Sequence, residues 1–563
     1  MQAREAAVDR IWLEHYPAGV PAEIDVDQYA SVREMFEECC RAFARRPAFS
    51  CMGRTITFAD LDALSSTFGA WLQGIGCAKG TRVALMMPNV LQYPICIFGT
   101  LRAGCAVVNV NPLYTPRELE HQLVDSGAEV IVVVENFAQT LQQVVARTKI
   151  RRIVVTSIGE LLAIKGRIVD LVLRRVKRTI PEWSLPGAIR FTDAMKQGRR
   201  RSLSRIPIGH DDLAFLQYTG GTTGVAKAAM LVHRNLVANM LQARAWLRPV
   251  LDENRREVIL TPLPLYHIFS LTANCLVFMS IGGENVMITN PRDIAGFIKE
   301  MRRYRFTAMT GVNTLFNALL NHPRLRSVDF ASFHLALGGG MAVQEAVARR
   351  WKMVTGVPLV EAYGLTETSP AATINPFDGA EYNGSIGLPI PSTDIVLRDD
   401  DGNDVPTNQP GEICIRGPQV MAGYWQRPAE TAHAMTVDGY FKTGDIGTMD
   451  AHGYIRIVDR KKDMINVSGF NVYPNEIENV VMMHEGVVEC AVVGVPDRKS
   501  GEAVKLYVVR RDDRLKAQQL IAHCRAQLAG YKCPREVEFR SELPKSNVGK
   551  ILRRELREEA KTA

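Results

Sequence analysis

Residues 218–230 read YTGGTTGVAKAAM, a run with three glycines and three threonines that closes on Lys227 and two alanines. Glycines let a backbone turn tightly enough to present successive N–H groups, and threonines add hydroxyls. With a cation at the end, such a loop can hold polyphosphate. It lies between the apolar LAFLQ and the helix-like LVHRNLVANML, so it belongs between a strand and a helix. No Gly-Lys-Ser/Thr follows Gly220 or Gly221 at Walker spacing, which disfavours ordinary P-loop phosphoryl transfer. The plain alternative is a Gly/Thr-rich turn with no ligand.

Four further blocks carry polar residues in compact patterns: YGLTETSP (363–370), YFKTGDIG (440–447), DRKKDMINVSGFNVYPNEIE (459–478) and PKSNVGKILRREL (544–556). An isolated Thr, Tyr, Asp or Lys is more often a cap, a core ring or a solvated charge. Five blocks in fixed order over more than 330 residues are another matter. Together they resemble the adenylate-forming superfamily. The stretches LPLYHIF, NPRDIAGFIKE, GVNTLFNALLN and LGGGMAVQEAVARRW are similar to bacterial long-chain fatty-acid:CoA ligases. The chain departs from the family's loop pattern at Gly221, Ala226 and Ala228, where serine, proline and glycine are commoner; a hydroxyl at 221 is therefore missing.

The resemblance implies an ATP-dependent ligase that makes an acyl-adenylate and passes the acyl group to coenzyme A. Thr222 and Glu367 would ligate the Mg²⁺ of MgATP, directly or through water, as oxygen donors suit a hard cation. Thr219, Gly220, Gly221, Thr223, Gly224 and Lys227 would surround the phosphates, with Thr366 at the α-phosphate. Tyr363 would stack on adenine, with Gly338, Gly339, Gly340 and Gly364 allowing close approach, while Asp445 and Arg460 would take the ribose. Lys550 would stand between the attacking carboxylate and the α-phosphate, where negative charge crowds. Lys550, Glu367 and Thr222 form the expected catalytic set; His267, Thr310 and Gly311 are the acyl-site candidates. Each of the last three is equally readable as core.

One arrangement cannot serve both half-reactions, because the acyl carbon that Lys550 helps to activate must later be open to a thiol. The family resolves this by turning a small domain about a hinge. Here the hinge would be Lys462, and Ser468, Gly469 and Phe470 would bring the CoA tunnel. An aryl- or medium-chain acid ligase, or one that loads a carrier protein, would share the ATP blocks and differ in the acyl pocket. A non-enzymatic membrane-bound scaffold would be expected to lose Glu367, Asp445 or Lys550, and all three are present.

These residues need a frame. A chain of 563 residues exceeds one ordinary core, and 47% apolar with 23% charged residues suits a compact multidomain body. Short β-branched runs alternate with helix-period segments: AEVIVVV, a helix near 138–148, then IRRIVVT; ENVMIT, a helix over 294–301, then FTAMT; HLALGGG, a helix near 343–355, then PLVEAYG. Such alternation predicts an α/β fold, with mostly parallel sheets covered by helices in residues 1–460 and ligands at the strands' carboxyl ends. After DRKKD the pattern changes to VECAVVGV, AVKLYVV and a helix near 515–529. Residues 461–563 are therefore expected to form a small mobile α+β lid.

The eleven cysteines include no Cys-x-x-Cys, which suggests reduced core thiols in a cytoplasmic protein. Residues 258–283 carry no formal charge. Pro262, Pro264 and His267 leave too little helix for the ~20 residues a bilayer needs, so strand, turn and core helix is expected. The net charge of +8 is local: residues 165–205 hold twelve Lys or Arg against Asp170, Glu182 and Asp193, leaving the rest of the chain at −1. Over residues 161–180 the apolar positions trace a broad helical arc interrupted by Lys165 and Arg175. Clustered cations beside apolar residues predict peripheral contact with anionic membrane, on the inner face of the cytoplasmic membrane. No nucleic-acid partner is expected.

Overall fold

The computed structural model describes residues 9–219, 226–251, 255–378, 381–460, 463–468, 470–497, 500–546 and 549–562. Two large sheets form the body. The first has seven strands in the order Ile189–Arg190, Arg152–Thr156, Val130–Val134, Arg82–Met86, Ala106–Asn109, Leu213–Thr219 and Lys227–Val232. All pairs are parallel except the last, an antiparallel pair in which Thr219 lies opposite Lys227. Strands covered on both faces read as continuous apolar runs, and every residue of Val130–Val134 is buried.

The second sheet has nine strands. Its parallel centre runs Leu359–Gly364, Leu335–Gly338, Ala308–Gly311, Val258–Thr261, Glu284–Met287 and Pro47–Cys51. Antiparallel strands close both edges: Ala371–Ile374 and Leu388–Pro389 on one side, Arg54–Thr57 on the other. Helices fill the space between the sheets. Gln92–Arg102 is buried on every side from Gln92 to Leu101, as a helix packed between two layers must be. Its polar groups find partners there: Gln92 donates to Thr156 Oγ1 at 2.8 Å and Tyr93 to Asn109 Oδ1 at 2.9 Å.

The expected strand–helix–strand units are present, with Ile294–Met301 and Glu345–Thr355 as helices. The helix near 138–148 is shorter than expected: Ala138–Gln142, then a 3₁₀ turn Val145–Arg147. The uncharged stretch folds as strand Val258–Thr261, a turn, and a buried helix whose Ser270–Leu276 part is π-helical and continues as Val277–Ser280. Among the described residues no helix is long and apolar enough to cross a membrane.

Residues 394–460 form a separate antiparallel sheet that the sequence pattern did not announce: Asp394–Arg398, Gly411–Arg416, Phe441–Met449 and Ile455–Arg460. A last sheet pairs Phe470–Val472, Ile465–Val467, Gly501–Arg510 and Val487–Asp497, with Glu536–Arg540 added in parallel. Helices Pro474–Met482, Ala517–Arg525 and Arg553–Thr562 accompany it. It has its own apolar core around Ile477, Val492 and Leu506.

The basic segment is a helix, Ala163–Leu171, extended by a π-helical turn Val172–Val176. It is pinned to the first sheet. Asp170 accepts from Ser157 Oγ at 2.7 Å and from the Gly159 N–H at 2.9 Å, Arg174 pairs with the buried Glu135, and Lys165 turns aside to the Met52 carbonyl. A β-carbon on Gly166 would lie 1.8 Å from the Gly159 carbonyl oxygen, so only glycine permits this approach. The outer face leaves Ile164, Ile168, Leu171 and Val176 exposed, with Ile164 at 81%.

Candidate active site

A cavity of about 430 Å³ opens where the two large sheets, the antiparallel sheet and the C-terminal unit meet. Its polar end starts from strand Leu359–Gly364 and the 3₁₀ turn Thr366–Thr368, which present Tyr363, Gly364, Thr366 and Glu367. A β-carbon on Gly364 would fall 1.8 Å from the Pro370 carbonyl oxygen, so this backbone crossing requires glycine. The Tyr363 hydroxyl donates to Asp445 Oδ2 at 2.7 Å, and Arg460 Nε lies 3.2 Å from Asp445 Oδ1. Asp445 and Arg460 are direct partners in the antiparallel sheet, so their pairing follows from strand register. Burial raises the Tyr363 phenol well above its ordinary range, and the Asp445 charge adds to it. The phenol therefore stays a donor.

Glu367 is 8% exposed. Its Oε1 accepts the Tyr424 hydroxyl at 2.8 Å. Burial pushes its carboxyl up, against the opposing pull of Tyr424 and the more distant Arg460 and Lys227 charges. Among the described residues no three His, Cys, Asp or Glu side chains converge. A single carboxylate at the cavity wall suits Mg²⁺, which takes one or two protein carboxylates and leaves its other positions to phosphate oxygens and water.

Thr219 and Lys227 line the same end and bracket residues 220–225. Their support comes from helix Pro116–Ser126. Thr115 and Glu118 cap each other's backbone N–H at its start, proline occupies its first turn, and Gly127 at φ +59° ends it. Near that end, Asp125 accepts from the Tyr218 hydroxyl and from Arg427, both at 2.8 Å, and the His121 ring bonds the Ala226 carbonyl at 3.0 Å. Both flanks of the loop are thereby tied to one helix.

Lys550 reaches the cavity from the C-terminal unit. Ser546 N donates to the Lys550 carbonyl at 2.7 Å and Lys550 N to Ser546 Oγ at 3.1 Å. Thr314 Oγ1 donates to the Gly549 carbonyl at 3.0 Å, and Asn317 Nδ2 to the Val488 carbonyl at 2.9 Å, fixing the unit against helix Asn313–Leu320. His267 faces the same space. Burial, and then the Lys550 charge, push its imidazole down to about 4, so it is neutral.

The other end is apolar. Ala243 and Leu247 of helix His233–Leu247, with Leu263, Ile268, Phe269 and Ala273, line it. The last four belong to the uncharged stretch 258–283, which the sequence reads as strand, turn and core helix, and no pattern singles out Asn239, Ala243 or Leu247. A small residue such as Ala243 on a buried helix face gives no sequence signal of a cavity.

Gly339 and Gly340 line the cavity, but Gly338 does not: a β-carbon there would meet Val343 Cγ2 at 2.6 Å, so it serves packing. Thr310 and Gly311 also stand behind the wall. Thr310 donates to Asn274 Oδ1 at 2.8 Å, and Gly311 abuts the Phe316 ring; of that segment Val312 is the lining residue. Ser468 and Phe470 lie outside the cavity. The Ser468 N–H donates to the Ser500 carbonyl at 2.8 Å, and Phe470, 56% exposed, stacks on Tyr531 with centroids 4.7 Å apart. Gly220, Gly221, Thr222, Thr223, Gly224, Lys462 and Gly469 fall outside the described residues.

A family model described as AMP-binding enzyme matches residues 36–425, and its companion, AMP-binding enzyme C-terminal domain, matches residues 476–550. A long-chain-fatty-acid–CoA ligase of Yersinia pestis is 58% identical over 554 residues, covering 98% of both chains. Among solved structures, an anthranilate CoA ligase, AuaEII, in complex with anthranoyl-AMP superposes with a TM-score of 0.84 at 25% identity, covering 95% of this chain and 99% of that one. The ATP-bound MatB of Rhodopseudomonas palustris gives 0.79 at 28% identity, covering 94% and 99%.

Proposed function

The chain belongs to the AMP-binding enzyme family, and from that membership and the two-ended cavity we infer that it is an ATP-dependent long-chain fatty-acid:CoA ligase. The observation that supports this reading is that Lys550, with the neutral His267 near it, lines one cavity together with Tyr363, Asp445, Arg460 and the apolar side chains. A nucleotide in the polar end and an acyl chain in the apolar end would bring carboxylate and α-phosphate together there.

In the first half-reaction a carboxylate oxygen attacks the α-phosphorus and the bond to pyrophosphate breaks, giving acyl-AMP. Lys550 holds positive charge beside the oxygens that gather negative charge as the bond forms. Asp445, held by Tyr363 and Arg460, accepts from the ribose hydroxyls, and Thr366 meets the α-phosphate. Glu367, with Thr222, would hold Mg²⁺, which neutralises polyphosphate charge when bound. In the second half-reaction the CoA sulfur attacks the acyl carbon and AMP leaves. The small unit, residues 461–563, turns about Lys462 between the two, withdrawing Lys550 and bringing Ser468, Gly469 and Phe470 to the acyl carbon.

A measurement of pyrophosphate release across acids of increasing length tests the substrate. Each buried methylene contributes up to about 0.8 kcal/mol, so turnover at limiting acid is expected to rise with chain length. Ala243→Trp, which fills the apolar end, is expected to shift the preference toward shorter acids. Benzoate or a similar aryl acid outrunning saturated long-chain acids would overturn the long-chain assignment.

The exposed stripe Ile164, Ile168, Leu171 and Val176, flanked by Arg175, Lys177 and Arg178, supports peripheral, reversible contact with anionic membrane, where a lipid-partitioning acid is concentrated. Co-sedimentation is expected with phosphatidylglycerol-containing vesicles and much less with neutral ones. It should fall in Arg175→Gln/Lys177→Gln/Arg178→Gln; Arg174 is kept because it anchors on Glu135. Equal binding to both vesicle types would refute the contact.

A further inference from the structure

Lys227 already has partners where it meets the cavity. Its ammonium pairs with Glu430 and lies over the Tyr424 ring, 5.0 Å from the centroid. The same Tyr424 donates its hydroxyl to Glu367. Its backbone is fixed: the Met230 N–H donates to the Gly423 carbonyl at 2.8 Å and the Trp425 N–H to the Ala228 carbonyl at 2.9 Å, so Tyr424 sits opposite Ala229 in an antiparallel bridge. Glu430 is placed in turn by Arg427, which bonds Asp125 at 2.8 Å and lies 3.7 Å from Glu430 Oε1. Side chains of Lys227 and Glu430 are 35% and 39% exposed, so an anion can reach the pair from solvent.

A lysine at a polyphosphate site that is paired with a carboxylate must share or exchange that partner when phosphate arrives. We propose that Tyr424 and Glu430 are positioning residues for Lys227: the Tyr424 ring keeps the ammonium in register with Glu367, and Glu430 is a resting counter-ion that polyphosphate displaces. The ring face attracts the cation without a formal charge, so that contact persists through the exchange. A polyphosphate outcompetes one carboxylate because it presents several negative charges to the same cation. The inference rests on reading the cavity as an ATP site.

Equilibrium binding of ATP in EDTA, free of divalent metal, to wild type, Glu430→Gln, Lys227→Met and the double variant tests it. Glu430→Gln is expected to tighten ATP about threefold, the scale of a part-exposed pair. Lys227→Met should weaken it, and Glu430→Gln should then have no further effect, because the two act through one contact. Glu430→Asp, which keeps the charge, should stay near wild type, and inorganic pyrophosphate should repeat the pattern. Unchanged or weaker binding in Glu430→Gln overturns the proposal. So does equal tightening in the Lys227→Met background, which would make Glu430 a general repulsive charge. Absence of ATP binding by wild type would instead refute the nucleotide reading itself.

Discussion

Lys550→Ala is expected to slow acyl-adenylate formation by about 10² to 10³ fold while thioester formation from preformed acyl-AMP survives. The side chain supplies a cation to the cavity near His267, and the Gly549 and Lys550 backbone is held by Thr314 and Ser546 through atoms that alanine retains. Truncation therefore removes charge and leaves the frame. Pyrophosphate release and thioester yield from synthetic acyl-AMP, measured on the folded variant, separate the half-reactions. If both fell equally, Lys550 would be structural and the turning-unit mechanism would lose its main support.

Glu367→Gln is expected to weaken divalent-metal affinity by about 10- to 100-fold in the presence of ATP. Glutamine retains an oxygen that can accept the Tyr424 hydroxyl, so the local fold should hold while the negative charge disappears. Mn²⁺ binding followed by electron paramagnetic resonance reads this without turnover, and the Mg²⁺ requirement of pyrophosphate release should rise in parallel. Unchanged Mn²⁺ affinity would remove Glu367 from the metal site.

Glu367 and Asp445 were singled out through the family resemblance of short contiguous blocks, and the fold keeps each block together: Tyr363 to Glu367 lie on one strand and the turn after it, and Asp445 lies within one strand. The parallel strands were legible for a related reason, since a strand covered on both faces must be apolar throughout, as Val130–Val134 is. The antiparallel sheet was not, because FKTGDIGTM carries polar and glycine positions that break a strand pattern. Thr310 and Gly311 mark a second limit. They flank the cavity in sequence, but sheet pairing sends Thr310 to Asn274 and sets Gly311 against Phe316, while Val312 reaches the surface of the space. Tyr424 marks a third. Its contact with Lys227 joins segments almost two hundred residues apart in sequence, and its bond to Glu367 spans 57 residues, separations that no local periodicity encodes.

The eleven cysteines, all buried, have a consequence for an enzyme that holds a mixed anhydride. Acyl-adenylates acylate thiolates, and a protein carrying exposed, ionised cysteines would be modified by its own intermediate. Burial raises Cys51 and Cys524 to about 11 and Cys39 and Cys414 to about 12. Cys275 is raised further by burial, in the helix that also contributes Thr272 and Ala273 to the cavity wall. Only Cys77 is drawn down, through its hydrogen bond with Cys105, and neither lines the cavity. Cys77 apart, which lies away from the cavity, the chain's own sulfur is thus withheld as protonated thiol behind packed side chains, and the acyl group is kept for the thiol that arrives from solution.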